Sequence, residues 1–163
     1  ALRAGRILAQ LLDLARAQGL DAQALQPVAL GEVAAKVLAD HAQQAHEGER
    51  ELALQNDTAL RRPGHPLMLE LALRNLVDNA LRHTPKGTRV LVRVWQQAQD
   101  AGIDVLDDGD GPVLRGAARA DSGHLGIGLT LVRRIAELHG ARLLPAPPTA
   151  PYRHGYRLVW TLP

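Results

Sequence analysis

Apolar residues recur every three to four positions in four stretches of the chain, which is the spacing of one helical face. The four stretches are residues 1–19, Gly31 to His46, His65 to Thr84 and Leu125 to His139. Turn-forming residues follow the last two of them, Pro85-Lys86-Gly87 after the third and Gly140 after the fourth. The pattern therefore predicts four helices.

Other stretches alternate apolar and polar residues or are short and apolar, as strands are. They are Glu51 to Leu54, Thr88 to Gln96, Ile103 to Leu106, Ala141 to Leu144 and Tyr152 to Leu162. We expect the second and third to form a hairpin through residues 97–102, and Arg61 to Gly64 to be a turn. Helices and strands do not alternate regularly, so a doubly wound parallel sheet is disfavoured. The predicted fold is an α/β (α+β) two-layer sandwich, with a mixed sheet covered on one face by about three helices.

The composition narrows the classes of function. A length of 163 residues suits one compact domain with a short appendage. Cysteine is absent, which excludes disulfides and thiol chemistry and fits a reducing compartment. The net charge is only +2 and the basic residues are scattered, so the sequence does not favour a nucleic-acid partner. No apolar run approaches the roughly 20 residues of a membrane span.

Two asparagines, Asn75 and Asn79, lie four residues apart in the mostly apolar third helix and therefore share one face. Asparagine is a poor helix former, so a pair in line suggests a ligand held beside the helix. A carboxamide oxygen suits Mg²⁺ that also shares phosphate oxygens, and Arg82 could hold a phosphate. The alternative is that all three residues belong to an ordinary polar surface.

A second candidate segment, Asp107-Asp108-Gly109-Asp110-Gly111, directly follows a predicted strand. Its glycines allow a sharp turn and a close approach to a ligand. A carboxylate at the strand end could accept a hydrogen bond from an amino group such as that of adenine. A plain acidic turn is the alternative. A calcium loop is disfavoured, because no glutamate stands where an EF-hand loop needs one.

A third segment, Gly123 to Leu129, is rich in glycine and opens the fourth helix. Backbone N–H groups at a helix N-terminus favour anions. The segment is not a P-loop, because it lacks Gly-Lys-Ser/Thr, and it is not a dinucleotide fingerprint, because no strand immediately precedes it. Alone it is a weak signal, and a simple glycine-rich loop ending is the alternative.

In order and spacing, the three segments together resemble the N, G1 and G2 boxes of the ATP-binding domain of sensor histidine kinases. That domain belongs to a superfamily shared with type II topoisomerases and a heat-shock chaperone. The resemblance runs from about Pro27 to the terminal Leu162-Pro163. Residues 1–19, especially Gln10 to Arg16, resemble the end of the second helix of the family's dimerisation and histidine-phosphotransfer domain. We therefore expect residues 1–26 to be the end of that helix with a linker, and residues 27–163 to be the catalytic ATP-binding domain.

The resemblance implies ATP and Mg²⁺ as cofactors and assigns roles by position. Asn79 would coordinate a Mg²⁺ ion that bridges the phosphates, Asn75 would line the same site, and Asp107 would accept from the adenine amino group. The other matching positions are a basic phosphate contact at Arg82, His83 in the place of an aromatic, Gly109 and Gly111 in the adenine pocket, Gly126 and Gly128 in a loop that wraps the phosphates, and Leu125, Ile127 and Leu129 around them.

The chain also departs from the family pattern. His124 replaces the first glycine of the third box, and Pro112 replaces a common isoleucine. The segment between the second and third boxes, residues 112–123, is short, and the chain has no phenylalanine. The ATP lid is therefore expected to be abbreviated. The family's phosphoacceptor histidine would lie upstream of Ala1, so no catalytic residue is assigned. The pair His46-Glu47 is interpreted as a solvated helix end.

The function implied is the ATP-binding catalytic domain of a two-component sensor histidine kinase. It would bind Mg·ATP and donate the γ-phosphoryl group to a histidine of its own dimerisation domain, for relay to an aspartate of a response regulator. The parent protein would be a homodimer in a bacterial inner membrane, with this chain as a cytoplasmic domain. The isolated chain is expected to be monomeric and unable to phosphorylate itself.

Two alternatives share the fold. One is a nucleotide-binding or regulatory module without kinase activity, which the residue at 124 and the short lid would favour. The other is a serine kinase of the anti-sigma type, which the resemblance of residues 1–19 to a dimerisation helix disfavours.

Overall fold

The computed structural model describes residues 25–109 and 124–162, which contain three helices and seven strands. The helices are α1 (Leu30–Glu47), α2 (Pro66–Arg82) and α3 (His124–Leu138). The strands are β1 (Gln26–Ala29), β2 (Glu51–Asn56), β3 (Arg61–Gly64), β4 (Arg89–Gln97), β5 (Asp100–Asp107), β6 (Arg142–Pro145) and β7 (His154–Thr161). The predicted helix over residues 1–19 lies outside the described residues.

Five of the strands form one mixed sheet in the order β2-β4-β5-β7-β6. Strand β2 is parallel to β4, and every other pairing in this sheet is antiparallel. The sheet and the three helices confirm the predicted α/β sandwich with a mixed sheet.

The predicted turn at Arg61–Gly64 is wrong, because this segment is strand β3 and pairs with β1 in a separate two-stranded sheet. Pro63 and Gly64 look like turn residues, but Pro63 lies opposite Pro27 in a two-stranded ladder, where edge positions tolerate proline. The predicted hairpin is confirmed with a shorter connection. Only residues 98 and 99 separate β4 from β5, and Ala98 has a φ of +53°.

The core lies between the helices and one face of the large sheet. Alternate residues of β4, namely Val90, Val92 and Val94, are buried against the helical layer, as their period of two predicts. Leu73 and Leu76 of α2 are buried in the same cluster. This packing holds α2 across the sheet, with its C-terminal end near the end of β5.

The other face of the sheet carries a charged cluster centred on Asp104, which has no exposed surface. Arg157 binds this carboxylate through Nε and Nη2 at 2.8 and 2.9 Å, and Arg93 Nη2 lies 2.7 Å from it. The Trp95 indole N–H donates to it at 3.0 Å, and the Arg157 guanidinium lies over the Trp95 ring. Because each charge has a partner, this buried aspartate is tolerated.

Candidate functional site

Helix α2 presents Asn75 and Asn79 to the first turns of α3. A Cβ atom added to Gly128 would lie 3.6 Å from Asn75 Oδ1, 3.6 Å from Asn79 Nδ2 and 3.7 Å from Asn79 Oδ1. The two asparagines and Gly128, which are about 50 residues apart in sequence, therefore meet where α2 and α3 pack together. A side chain at position 128 would occupy the space in front of both carboxamides.

The two carboxamides differ in their hydrogen bonding. Asn75 Nδ2 donates to the carbonyl of Leu71 one turn earlier, at 2.8 Å. Asn79 Nδ2 is buried and has no hydrogen-bond partner among residues 25–109 and 124–162. A buried polar group without a partner destabilises the folded chain by about 1–3 kcal/mol, so such groups call for an explanation. The position of Asn79 beside Gly128 suggests that a bound ligand supplies the partner.

Asp107, the last residue of β5, lies at the end of the sheet near the C-terminal end of α2 and is only 2% exposed. Its Oδ1 accepts a hydrogen bond from the Gly109 N–H at 3.1 Å, which is the geometry of an Asx turn. A Cβ added to Gly109 would lie 3.2 Å from this oxygen. Gly109 thus lets the backbone fold closely over the carboxylate.

Two threonines complete this end of the site. The hypothetical Cβ of Gly109 would lie 3.3 Å from Thr84 Cγ2 and 3.3 Å from Thr88 Oγ1. Both threonines are buried, and their hydroxyls donate to the carbonyls of Ala80 and Pro85. Neither threonine belongs to the residues that the sequence pattern suggested for the site. Their hydroxyls have local backbone partners, which the sequence alone does not distinguish from ordinary helix-end threonines.

Asp108 faces away from this cluster and pairs with Arg89. Its Oδ1 accepts from the Arg89 N–H at 2.7 Å, and its Oδ2 accepts from Arg89 Nε at 2.8 Å. Burial of the Asp108 carboxyl acts to raise its pKa, but the hydrogen bonds from Arg89 outweigh this and lower it. Asp108 is therefore ionised and paired with Arg89, away from the turn formed by Asp107 and Gly109.

Arg82 is exposed and its Nε pairs with Asp78 on the same helix at 3.0 Å. Asp78 also accepts from Gln44 of α1 at 3.2 Å, so Arg82 belongs to a polar seam between α1 and α2. His83 caps the C-terminus of α2, where its N–H donates to the Asn79 carbonyl. Both residues lie within a turn of Asn79, and their predicted nucleotide contacts stay predictions.

Glu70, one turn before the asparagines, belongs to the same seam. It accepts from Lys36 and from Arg74, each at 2.9 Å, and the hydrogen bond from Lys36 is the largest cause that lowers its pKa. A carboxylate held in two ion pairs is a poor general base. No acid–base residue is therefore assigned at the site within the part of the chain that the structure describes.

The third predicted segment lies partly within the described residues. The structure places Gly126 and Gly128 inside α3, in agreement with the helix predicted over Leu125 to His139. The phosphate contacts that the resemblance implies for the two glycines stay predictions. The helical spacing of the apolar residues extends the helix back to His124, since a glycine costs a helix only about 1 kcal/mol. Leu129 packs against the core. Gly111 lies outside the described residues, and for Leu125 and Ile127 only the helical backbone is described.

No group of three or more histidine, cysteine, aspartate or glutamate side chains able to hold a metal ion occurs in residues 25–109 and 124–162. A cavity of about 160 Å³ lies at the opposite edge of the molecule, at the start of α1, lined by Gly31, Asn56 and Arg61 among others. It is smaller than the several hundred Å³ of a typical ligand site. The described helices include none long and apolar enough to cross a bilayer.

Comparison with known protein families identifies the class. The model of the family described as histidine kinase-, DNA gyrase B- and HSP90-like ATPase matches residues 64–163. The chain is 38% identical over 150 residues to the sensor protein kinase PmrB of Pseudomonas aeruginosa, which covers 84% of this chain and 31% of that protein. It is 33% identical over 150 residues to the sensor protein QseC of Escherichia coli K12, which covers 85% and 32% respectively. The chain thus spans about a third of the length of these curated relatives.

Solved structures agree with this class. The cytoplasmic segment of histidine kinase QseC superposes with a TM-score of 0.71 at 28% identity, covering 99% of this chain and 94% of that one. The mycobacterial sensor histidine kinase MprB superposes with a TM-score of 0.66 at 25% identity, covering 84% and 97%. The chain belongs to the histidine kinase-, DNA gyrase B- and HSP90-like ATPase family. Within that family it is an ATPase domain of the sensor histidine kinase type.

Proposed function

We propose that this chain binds Mg·ATP with the phosphates between α2 and α3 and the adenine over Asp107 and Gly109, and that it presents the γ-phosphoryl group to a histidine on another domain. The observation that carries the proposal is the buried Asn79 amide, which has no partner in the described part of the chain and faces Gly128 across the α2–α3 contact. Membership of an ATP-binding family supports the same reading.

The side-chain donors of Asn79 and Asn75 fit a Mg²⁺ ion that is bound together with a nucleotide. Rotation of the Asn79 carboxamide by 180° exchanges its nitrogen and oxygen, so the buried position can present a neutral oxygen ligand. Mg²⁺ characteristically takes one or two protein oxygens and completes its shell with water and phosphate oxygens. Asn79 would hold the ion, with Asn75 beside it, and the ion would neutralise phosphate charge.

The chain's own part in phosphoryl transfer is to position and stabilise, because such transfers ask little covalent chemistry of a protein. The first turn of α3 offers backbone N–H groups without intrahelical acceptors, which suit phosphate oxygens. The Asp107 carboxylate would accept from the adenine amino group and orient the base. The buried core between α2 and the sheet keeps water from the inner side of the site.

Three titrations with Mg·ATP test the proposal, using the wild-type chain, Asn79→Ala and Asp107→Asn. We expect the wild type to bind, and each variant to bind at least about tenfold more weakly, since each loses a hydrogen bond or ligand to a charged group. Equal and negligible affinity of all three proteins would instead identify a module that has lost nucleotide binding. The named relatives are sensor kinases, which does not favour that second reading.

At the level of the parent protein, we propose a bacterial sensor histidine kinase in which this chain is the cytoplasmic ATP-binding part. Residues 1–26 would be the end of its dimerisation helix and residues 27–163 the catalytic domain. Its partners would be its own phosphoacceptor domain and a response regulator, and the parent would be a homodimer. The isolated chain should not phosphorylate itself, and phosphohistidine formed by the chain alone would contradict this.

A further inference from the structure

Arg50 lies between α1 and β2 and binds the carbonyl ends of two helices at once. Its Nη1 donates to the Gly48 carbonyl at the end of α1 at 3.0 Å. Its Nε donates to the Thr84 carbonyl, just beyond the end of α2, at 3.1 Å, and its Nη2 donates to the same oxygen. Because the C-terminal end of a helix carries partial negative charge, one guanidinium stabilises both ends.

The same two turns are joined by backbone hydrogen bonds. The Gly87 N–H donates to the Glu49 carbonyl at 2.8 Å, and the Glu51 N–H donates to the Thr88 carbonyl at 3.0 Å. Gly87 has a φ of +87°, a conformation that glycine adopts without strain. Residues 84–88 are thus held against residues 48–51 by backbone hydrogen bonds. Arg50 adds a side-chain contact between the two segments.

The turn at residues 84–88 packs against Gly109. Arg50 Nε also contacts the Thr84 hydroxyl, at 3.3 Å. The methyl group of Thr84 and the hydroxyl of Thr88 lie against Gly109, whose N–H is held by Asp107. A shift of Thr84 would therefore reach Asp107 through one intervening residue.

We propose that Arg50 is a positioning residue for recognition of the adenine base. It fixes Thr84, and through Thr84 and Thr88 it fixes the Asp107–Gly109 turn on which the base rests. The inference depends on the proposed function for the identity of the ligand. It adds a residue outside all three sequence segments that first suggested the site.

Gly48 offers an independent way to disturb the same contact. A Cβ added to Gly48 would lie 2.6 Å from Arg50 Nη1, so Gly48→Ala must displace the guanidinium. The φ of Gly48 is −85°, which alanine adopts without strain. Gly48→Ala therefore perturbs Arg50 without removing its charge and without straining the backbone.

The test compares affinities for Mg·ATP and Mg·GTP, because guanine lacks the 6-amino group that Asp107 would accept. We expect Arg50→Ala to bind ATP about tenfold more weakly while GTP affinity changes little, so base discrimination falls. Arg50→Lys should lose about threefold and Gly48→Ala less than Arg50→Ala. Asn79→Ala should weaken both nucleotides alike. Lys86→Ala is the matched control, since it removes the exposed Lys86–Glu49 ion pair of the same turns and should leave both affinities unchanged.

Amide hydrogen exchange without nucleotide separates positioning from general destabilisation. In Arg50→Ala we expect faster exchange at Gly87, Thr88 and Gly109, with the amides at the centre of α2 unchanged. Wild-type discrimination retained in both Arg50→Ala and Gly48→Ala would overturn the inference alone. Failure of the wild type to bind ATP would overturn the proposed function and the inference with it. Uniformly faster exchange throughout the chain would also overturn it, because Arg50 would then be a general stabilising residue.

Discussion

The two ends of the proposed nucleotide site differ in how many of their polar groups have hydrogen-bond partners within the protein. At the base end, the Asp107 carboxylate, the Gly109 N–H and the hydroxyls of Thr84 and Thr88 all have hydrogen-bond partners within the chain. At the phosphate end, Asn79 Nδ2 is buried and has no partner in the part of the chain that the structure describes. One end is complete without a ligand, and the other leaves a polar group unmatched.

The difference indicates two ways of preparing for one ligand. A pre-ordered base end loses little conformational entropy on binding and sets specificity. An unmatched buried amide destabilises the folded chain, and a ligand that supplies its partner would recover that free energy. The two glycines show the same contrast. A Cβ at Gly109 would be crowded, at 3.2–3.3 Å from its neighbours, whereas a Cβ at Gly128 would make ordinary contacts at 3.6–3.7 Å.

Substitution of Asn79 should have the largest effect on the difference between the two ends. Asn79→Ala should weaken Mg·ATP binding by about 100-fold, because it removes a polar contact to a charged ligand. The free energy of unfolding of the ligand-free chain should stay the same or rise by about 1 kcal/mol, since alanine favours the helix and the unmatched amide is gone. Calorimetric titration and chemical denaturation measure the two effects. A clear loss of stability would mean that Asn79 is a structural residue.

Gly128→Ala tests whether the space in front of the asparagines belongs to a ligand. The chain itself accommodates a Cβ there, and alanine in a helix is about 1 kcal/mol more favourable than glycine. We expect a more stable protein that nevertheless binds Mg·ATP about tenfold more weakly, a trade of stability against function. An unchanged affinity would show that the nucleotide does not use this approach to α3.

Gly109→Ala is the counterpart at the base end. Here the new methyl would crowd Asp107, Thr84 and Thr88, so we expect the free energy of unfolding to fall by about 1 kcal/mol. Mg·ATP affinity should fall about fivefold, because the turn that carries the base shifts. Gly128→Ala and Gly109→Ala should therefore have opposite effects on stability. The same sign for both would remove the distinction between the two ends.

The smallest expected effect is a dependence of the free energy of unfolding on pH. It arises at the contact between the start of α2 and the end of α3. His139 Nδ1 donates to the Ile135 carbonyl at 2.7 Å, and its Nε2 accepts from the His65 N–H at 3.1 Å, so the neutral ring is required. Burial, with a smaller contribution from His65, lowers the pKa of His139 below 6.5. Below pH 6.5 the unfolded chain binds more protons, so the free energy of unfolding falls as pH falls.

This decline should not exceed about 1.4 kcal/mol per pH unit. Urea unfolding of the wild type and His139→Gln between pH 5 and 7.5 measures it, and the variant should show the shallower dependence. Because the other histidines remain in both proteins, the difference reports position 139 together with its contact to His65. Parallel curves would contradict the role given to the neutral ring.

The sequence pattern predicted the helices of the sandwich and most of the strands, and it suggested the residues at both ends of the proposed site. The spacing of Asn75 and Asn79 and the Asp-Gly turn at 107–109 are local features, so they are visible in one dimension. It misread Arg61–Gly64, because a ladder with β1 outweighed the turn propensity of Pro63 and Gly64. It did not predict Arg50, Thr84 or Thr88, because the Arg50–Thr84 contact, between residues 34 apart, and the packing of both threonines on Gly109 arise only in the folded chain.

By itself, the sequence determined the fold class and the chemistry available to the site, because hydrophobic period and residue type act locally. Only the tertiary structure decided that Gly128 lies against both asparagines, that Asn79 Nδ2 has no partner among the described residues and that Arg50 binds the Thr84 carbonyl. The reason is physical. Burial, hydrogen-bond satisfaction and close approach are properties of pairs of elements, and each pair is brought together only when the helices pack on the sheet.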